Sequence, residues 1–117
     1  MHNFRKLNIW LKSVELVTDI YRLTNTFPSH ERFGLMSQMQ RSAVSCPTNI
    51  AEGSAKSSNK DFSRFLEMSL GSLYELETEL IVSFNLEYTD SEKCELLQSR
   101  IIELQKMITS FMNQLDK

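Results

Sequence analysis

Residues 38–53 read QMQRSAVSCPTNIAEG, a helical repeat of apolar side chains with a proline inside it. Pro47 lacks the amide hydrogen that a helix interior uses, and a proline there costs about 3 kcal/mol. The segment therefore predicts a helix that is kinked near Pro47. A helix that stops at Cys46 and restarts with Pro47 at its first position is the alternative.

One face of this helix is polar along its length and lies opposite the apolar side chains. We predict a polar network that fixes helix register and subunit contact, in which Arg41 pairs with an acid of the same or the next helix. Its candidate members are Gln38, Arg41, Ser45, Asn49, Glu52, Glu75 and Glu77. A solvated face is the plain alternative, and a small-molecule or hydrolytic site on Arg41, Asn49 and Glu52 is another.

Three breaks divide the chain of 117 residues into four helical segments. They fall at Phe27-Pro28-Ser29, at residues 54–58 and at residues 87–90, and Ser58 and Thr89 have the spacing of capping boxes. The predicted helices span residues 5–26, 30–53, 59–87 and 90–115. Because short links between long helices favour antiparallel neighbours, we predict a single all-α domain, an antiparallel up-down-up-down four-helix bundle.

The first helix carries two apolar stripes on nearly opposite sides, and one bundle cannot easily bury both. One stripe contains Trp10, Val14 and Tyr21, and the other contains Leu16 and Ile20. We therefore predict a homo-oligomer, although the side chains in question could instead cover a bundle edge. The candidate interface residues are Ile9, Leu16, Ile20, Leu23, Leu70, Tyr74 and Ile81.

Charge is unevenly distributed although the net charge is only −2. Residues 1–64 hold nine Lys/Arg and five Asp/Glu, whereas residues 65–117 hold four and ten. The basic half suits a phosphate backbone and the acidic half suits a basic partner. The candidate nucleic-acid contacts are Arg5, Lys6, Lys12, Lys56, Lys60 and Arg64; an ordinary solvated surface is the alternative.

Patterns that support catalysis are missing. The two histidines, His2 and His30, do not complete a metal-binding spacing, and no phosphate loop or nucleophile elbow occurs. We expect no catalytic residue, no metal and no cofactor. Cys46 and Cys94 are read as two buried small hydrophobic residues. No apolar run resembles a signal peptide or membrane span, so we expect a cytoplasmic protein.

Two long blocks resemble a known family. FGLMSQMQRSAVSCPTNIAEG and DFSRFLEMSLGSLYELETEL are similar to the four-helix proteins encoded within intervening sequences of bacterial 23S ribosomal RNA. The resemblance extends over nearly the whole chain. Cys46 stands where isoleucine is common in that pattern, and Ser42 and Ser69 stand where alanine is common.

The resemblance implies a bacterial, cytoplasmic bundle that assembles into a ring, a homopentamer, without a catalytic site. The chain also resembles the accessory variability determinant of diversity-generating retroelements, a basic pentamer that binds nucleic acid. Two functions follow as expectations. One is a non-enzymatic oligomeric scaffold that binds RNA or a nucleic-acid-associated protein, and the other is a protein–protein adaptor without nucleic acid.

Overall fold

Four α-helices make up most of the chain, and the computed structural model describes residues 1–117. The helices are α1 (Asn8–Thr24), α2 (Leu35–Ser54), α3 (Asn59–Asn85) and α4 (Ser91–Leu115). Short 3₁₀ helices occupy Phe4–Lys6 and Ser29–Glu31, and no strand is present. The prediction of an all-α protein with four helices is confirmed.

Two hydrogen bonds join helix ends that are far apart in the sequence. The His2 backbone N–H donates to the Ser54 carbonyl at 3.0 Å, which joins the start of the chain to the end of α2. The Asn59 side chain donates to the Leu115 carbonyl at 3.3 Å, which joins the start of α3 to the end of α4. Consecutive helices pack together, and α1 also packs on α4. The up-down-up-down order that the short links led us to expect stays a prediction.

Two helices begin later than the sequence pattern predicted. α1 begins at Asn8, because Phe4–Lys6 forms a separate 3₁₀ turn capped by the side chain of Asn3. α2 begins at Leu35 rather than residue 30, because Gly34 has φ −113° and ψ −118°, outside the helical region. The long periodic interiors were predictable, whereas these boundaries depend on turn geometry that periodicity does not encode.

Of the two predicted capping residues, one is confirmed and the other is wrong. The Ser58 hydroxyl accepts a hydrogen bond from the Asp61 N–H at 3.1 Å and caps α3 as predicted. At α4 the prediction of Thr89 is wrong, because Asp90 is the N-cap and accepts from the Lys93 N–H at 2.8 Å. The link before α4 turns through Glu87, whose φ of 65° lies in the left-handed region.

Helix α2 runs without a break from Leu35 to Ser54, so it does not stop and restart at Pro47. Side chains donate to three consecutive carbonyls beside the proline. Thr48 donates to the Val44 carbonyl at 2.8 Å, Asn49 to Ser45 at 2.9 Å, and Ser69 of α3 to Cys46 at 2.8 Å. Because Pro47 has no backbone N–H, the helix lacks one hydrogen-bond donor here. The three side chains add donors to carbonyls of the same turn. The kink itself stays a prediction.

One hydrophobic core joins all four helices. α4 contributes a single apolar seam, whose members Phe111 and Leu115 pack at the edge of the core. Both cysteines are buried and unpaired, as predicted. The buried apolar side chains are Ile9, Leu16, Ile20, Leu23, Phe27, Met39, Ala43, Cys46, Ile50, Phe62, Leu66, Leu73, Leu76, Leu80, Cys94, Leu97, Ile101, Leu104 and Ile108.

The structure corrects the prediction of which α1 stripe is free for a partner. The four α1 residues predicted at the subunit interface lie in this core and are at most 7% exposed: Ile9, Leu16, Ile20 and Leu23. The opposite stripe reaches the surface, with Leu11 44%, Val14 38% and Tyr21 39% exposed. We call Leu11, Val14 and Tyr21 the α1 apolar stripe. The two stripes were confused because periodicity gives spacing around a helix but not the direction of the core.

The three α3 residues predicted at the interface keep their position at the surface or its edge. Tyr74 is 54% exposed, and Leu70 and Ile81 are half-buried. Tyr74 and Ile81 line a shallow depression together with Glu77, Thr78 and Val82. Their role in a subunit contact stays a prediction.

Candidate functional site

Basic side chains gather at one end of the bundle. The end formed by residues 1–10, 52–67 and 106–117, which we call the basic end, carries seven Lys/Arg against four Asp/Glu. The His2 ring holds these segments together, since its centroid lies 5.0 Å from that of Phe62 and 6.2 Å from that of Phe111. The opposite end, residues 20–38 and 77–95, carries three Lys/Arg against seven Asp/Glu and is the acidic end. Charge is therefore sorted by bundle end as well as by halves of the sequence.

Five of the six predicted nucleic-acid contacts belong to the basic end. They are exposed side chains from the 3₁₀ turn, the link between α2 and α3, and the first two turns of α3: Arg5, Lys6, Lys56, Lys60 and Arg64. The Lys56 ammonium lies 5.0 Å from the centroid of the Phe65 ring, a cation–π distance. Arg64 lies 3.8 Å from the Asp61 carboxylate in an exposed pair, which is weak enough to exchange for a phosphate.

Lys12 does not belong to this group. It lies on α1 beyond the basic end, and its ammonium forms an exposed ion pair with Glu103 of α4 at 3.1 Å. Sequence reasoning also missed two members of the basic end, Lys106 and Lys117. Their signal was available, because an antiparallel bundle returns the end of its last helix to the start of its first.

The predicted polar network forms only in part. The Asn49 side chain donates to the Ser45 hydroxyl at 3.0 Å, and the Ser72 hydroxyl of α3 shares a hydrogen bond of 2.9 Å with the same hydroxyl. These bonds tie α2 to α3 as the prediction required. Ser72 was missed, because nothing in the α3 pattern distinguishes it from the other serines of that helix.

The ion pair predicted for Arg41 does not form. Arg41 is exposed and takes part in none of the ion pairs of the structure. Glu77 is turned away from α2 and accepts hydrogen bonds from Gln98 at 3.3 Å and Gln105 at 2.8 Å, both on α4. The prediction that places Glu77 in the α2 network is therefore wrong, and Glu52 is a solvent-exposed side chain.

An open groove of about 540 Å³ lies between α2 and α3 where the network was predicted. We call it the polar groove, because every residue that lines it is polar: Gln38, Arg41, Ser42, Ser45, Ser72, Glu75 and Glu79. Burial raises the pKa of Glu79 above its ordinary value; the nearby Ser42 hydroxyl opposes this rise, and the Glu75 carboxylate one turn away adds to it. The groove thus combines a guanidinium with two carboxylates.

Neither a membrane-spanning segment nor a metal-binding cluster is found in the structure. No helix has the length and apolar character needed to cross a bilayer. No group of three or more His, Cys, Asp and Glu side chains is arranged to hold a metal ion.

Comparisons with known proteins agree with this architecture. A crystal structure of a protein of unknown function from the S23 ribosomal protein family of Bacteroides thetaiotaomicron superposes with a TM-score of 0.83. That protein is 27% identical, and the alignment covers 89% of this chain and 97% of the other. A search of curated proteins gives no match. The family described as 23S rRNA-intervening sequence protein matches residues 5–110. The chain therefore belongs to the 23S rRNA-intervening sequence protein family.

Proposed function

We propose that this protein is a non-enzymatic, self-associating helical scaffold that binds RNA at its basic end. The observation that carries this proposal is the meeting of Lys/Arg side chains from three separate segments at one end of the bundle. A phosphate backbone is the polyanion that such a surface suits, because each neutralised phosphate releases a counterion. The family description refers to an intervening sequence of 23S rRNA, and for this reason we choose RNA as the polyanion to test.

Self-association is supported by the α1 apolar stripe. Its three side chains expose between 38% and 44% of their surface on a helix whose other apolar face already fills the core. A second subunit would remove this apolar surface from water. A ring of copies, for which we propose five, would also bring several basic ends together, so that weak individual contacts act jointly on one RNA.

The non-enzymatic assignment rests on how the histidines are used. His2 packs its ring against Phe62 and Phe111. The His30 Nε2 lies 3.3 Å from the Tyr88 hydroxyl, which itself donates to Glu31 at 2.8 Å. Glu31 also accepts from the Leu35 N–H at 3.1 Å and so serves to start α2. Both imidazoles thus make structural contacts, and neither is hydrogen-bonded to a Ser, Thr or Cys side chain that it could activate, which supports a non-enzymatic role.

The test is a fluorescence-anisotropy titration of a single-stranded RNA at a low and a high salt concentration. The wild-type affinity is expected to fall steeply with salt, with a logarithmic slope of about 0.7 for each phosphate contacted. A triple variant at the basic end is expected to lose about two units of that slope and at least about tenfold in affinity at low salt. Its substitutions are Lys56→Gln, Lys60→Gln and Arg64→Gln.

A triple variant at the acidic end provides a control with the same change in charge. It contains one exposed Arg that pairs with an Asp three residues away, as Arg64 does: Arg22 lies 3.5 Å from Asp19. Its substitutions are Arg22→Gln, Arg32→Gln and Lys93→Gln. Equal losses in both triple variants, or absence of RNA binding at low salt, would refute the RNA part of the proposal.

The second candidate function is a protein–protein adaptor without nucleic acid. The acidic end favours it, because seven Asp/Glu face three Lys/Arg there. Such a surface suits a basic protein partner. If RNA fails to bind while the protein still self-associates, the adaptor becomes the better description.

A further inference from the structure

The polar groups at the bottom of the polar groove form their hydrogen bonds with one another and with the backbone. The Ser72 hydroxyl donates to the Met68 carbonyl at 3.0 Å and shares a second hydrogen bond of 2.9 Å with the Ser45 hydroxyl, to which the Asn49 side chain donates at 3.0 Å. The serines therefore form a fixed polar surface between the two helices. The groups that remain free to bind something lie above it.

Those free groups are charged. The Glu79 Oε1 atom is buried and receives no hydrogen bond from the protein. Such an atom is costly unless a donor reaches it. Glu75 precedes Glu79 by four residues, so their Cβ atoms lie about 6 Å apart on one face of α3 and both side chains line the groove. A cationic donor placed between them would relieve both the missing hydrogen bond and the repulsion.

Arg41 supplies the opposite charge on the α2 side of the same groove. It forms no ion pair, so its guanidinium keeps its donors available for a planar anion. A guanidinium binds a carboxylate through two parallel N–H···O bonds, which fixes orientation as well as adding attraction. The groove therefore offers one place for an anion and another for a cation.

We propose that the polar groove binds a small zwitterion of the amino-acid class, with its carboxylate on Arg41 and its ammonium group between Glu75 and Glu79. The volume of about 540 Å³ lies in the range of small-molecule sites. The wholly polar lining favours a polar ligand over an apolar one. Neither a simple amine nor a simple carboxylate engages both sides of the groove, so the zwitterion binds more tightly than either.

The first experiment titrates probes into isotope-labelled protein and follows chemical shifts by NMR. The zwitterions are glycine, γ-aminobutyrate and ε-aminocaproate, which separate the two charges by increasing distances. Butylamine and butyrate carry one charge each. We expect at least one zwitterion to shift the amides of α2 and α3 around Arg41 and Glu79, with at least about tenfold higher affinity than both single-charge probes. Absence of binding by all three zwitterions, or equal binding of butylamine, would overturn the proposal.

The second experiment repeats the titration with variants that keep side-chain size. Arg41→Gln and Glu79→Gln are each expected to weaken zwitterion binding at least about tenfold. Glu67→Gln, an exposed α3 residue outside the groove, should bind like wild type. Wild-type affinity in either groove variant would contradict the proposed site. Circular dichroism verifies folding, and Arg41→Lys, which keeps the charge but not the planar fork, replaces Arg41→Gln if that variant unfolds.

This inference is independent of the RNA proposal. The basic end and the polar groove share no residue, so RNA binding is unaffected by failure of the zwitterion titration. Equally, a protein that binds the zwitterion but no RNA would retain the groove assignment alone.

Discussion

The Tyr88 hydroxyl donates a hydrogen bond of 2.8 Å to the Glu31 carboxylate, across 57 residues of sequence. The other carboxylate oxygen accepts from the Leu35 N–H at 3.1 Å, at the first residue of α2. Glu31 thus caps α2 from outside the helix and attaches it to the link between α3 and α4. The Phe27 ring, with its centroid 5.2 Å from that of Tyr88, completes this closed end of the bundle.

Glu31→Gln should lower the melting temperature near neutral pH. Hydrogen bonds from the Leu35 N–H and then the Tyr88 hydroxyl lower the pKa of Glu31, with smaller help from His30. A carboxyl group whose pKa is lower in the folded state stabilises the protein above its unfolded pKa and loses this contribution as pH falls through its folded pKa. The difference between wild type and Glu31→Gln should therefore shrink in acid, as followed by thermal melts. A difference that stays constant with pH would contradict the role of the ionised carboxylate.

Gly53 and Gly71 should respond oppositely to alanine. A Cβ on Gly53 would lie 2.7 Å from the Phe65 Cβ and 2.9 Å from the Phe62 Cδ1, so α2 and α3 would have to separate. Gly53→Ala should lower the free energy of unfolding by about 1–3 kcal/mol. A Cβ on Gly71 meets nothing within 4 Å, and Gly71→Ala should raise it by about 0.5–1 kcal/mol through helix propensity. Urea denaturation measures both, and an unchanged or raised free energy of unfolding in Gly53→Ala would show that the close approach at Gly53 is not a constraint.

Glu79→Gln should stabilise the protein near neutral pH. Because burial raises the pKa of Glu79 in the folded state, the folded protein binds a proton there more tightly than the unfolded chain. Wild type therefore gains stability as pH falls through that raised pKa, and the advantage of Glu79→Gln should disappear in acid. Thermal melts across this range test the prediction. Glu67→Gln serves as the surface control, with an expected change within about 0.5 kcal/mol. Lower stability of Glu79→Gln near neutral pH would mean that the Glu79 charge is compensated by the protein.

The two thiols should be nearly unreactive in the native protein. Burial raises the pKa of Cys46 to about 12, and burial followed by the nearby Glu95 charge raises that of Cys94. Since the thiolate is the reactive form, labelling by a disulfide reagent should be slow until the protein is unfolded, when both thiols react. Fast labelling of Cys46 under native conditions would contradict its position in the core.

The sequence predicted the helices better than it predicted their surroundings. On α4 the buried apolar side chains recur at steps of three and four residues and form one face, as helical periodicity requires. On α1, two stripes of similar apolar character satisfied the same periodicity, and the choice between them depended on packing against α2 and α4. Tertiary packing decides which stripe is buried. The residues predicted at the interface therefore belong to the core: Ile9, Leu16, Ile20 and Leu23.

For the candidate sites, too, the sequence indicated features of a single helix but not the contacts between helices. The polar face of α2 marked one wall of the polar groove, whereas the other wall needed the α3 side chains Ser72 and Glu79. The spacing of Glu75 and Glu79 was the available signal, because acids four residues apart share a helix face. Glu77, which lies between these two acids in the sequence, faces α4 instead. A helix wheel separates these two directions once the core face of α3 is known.

The molar mass in solution tests most directly whether the protein is a self-associating scaffold. Size-exclusion chromatography with light scattering at micromolar concentration should give a multiple of the 13.6 kDa chain mass, about five times that value for the proposed pentamer. Val14→Asp, in the α1 apolar stripe, should reduce the mass toward one chain. Leu96→Asp, at a residue 58% exposed on α4 outside the stripe, should leave it unchanged. A wild-type mass of 13.6 kDa at that concentration would contradict the scaffold.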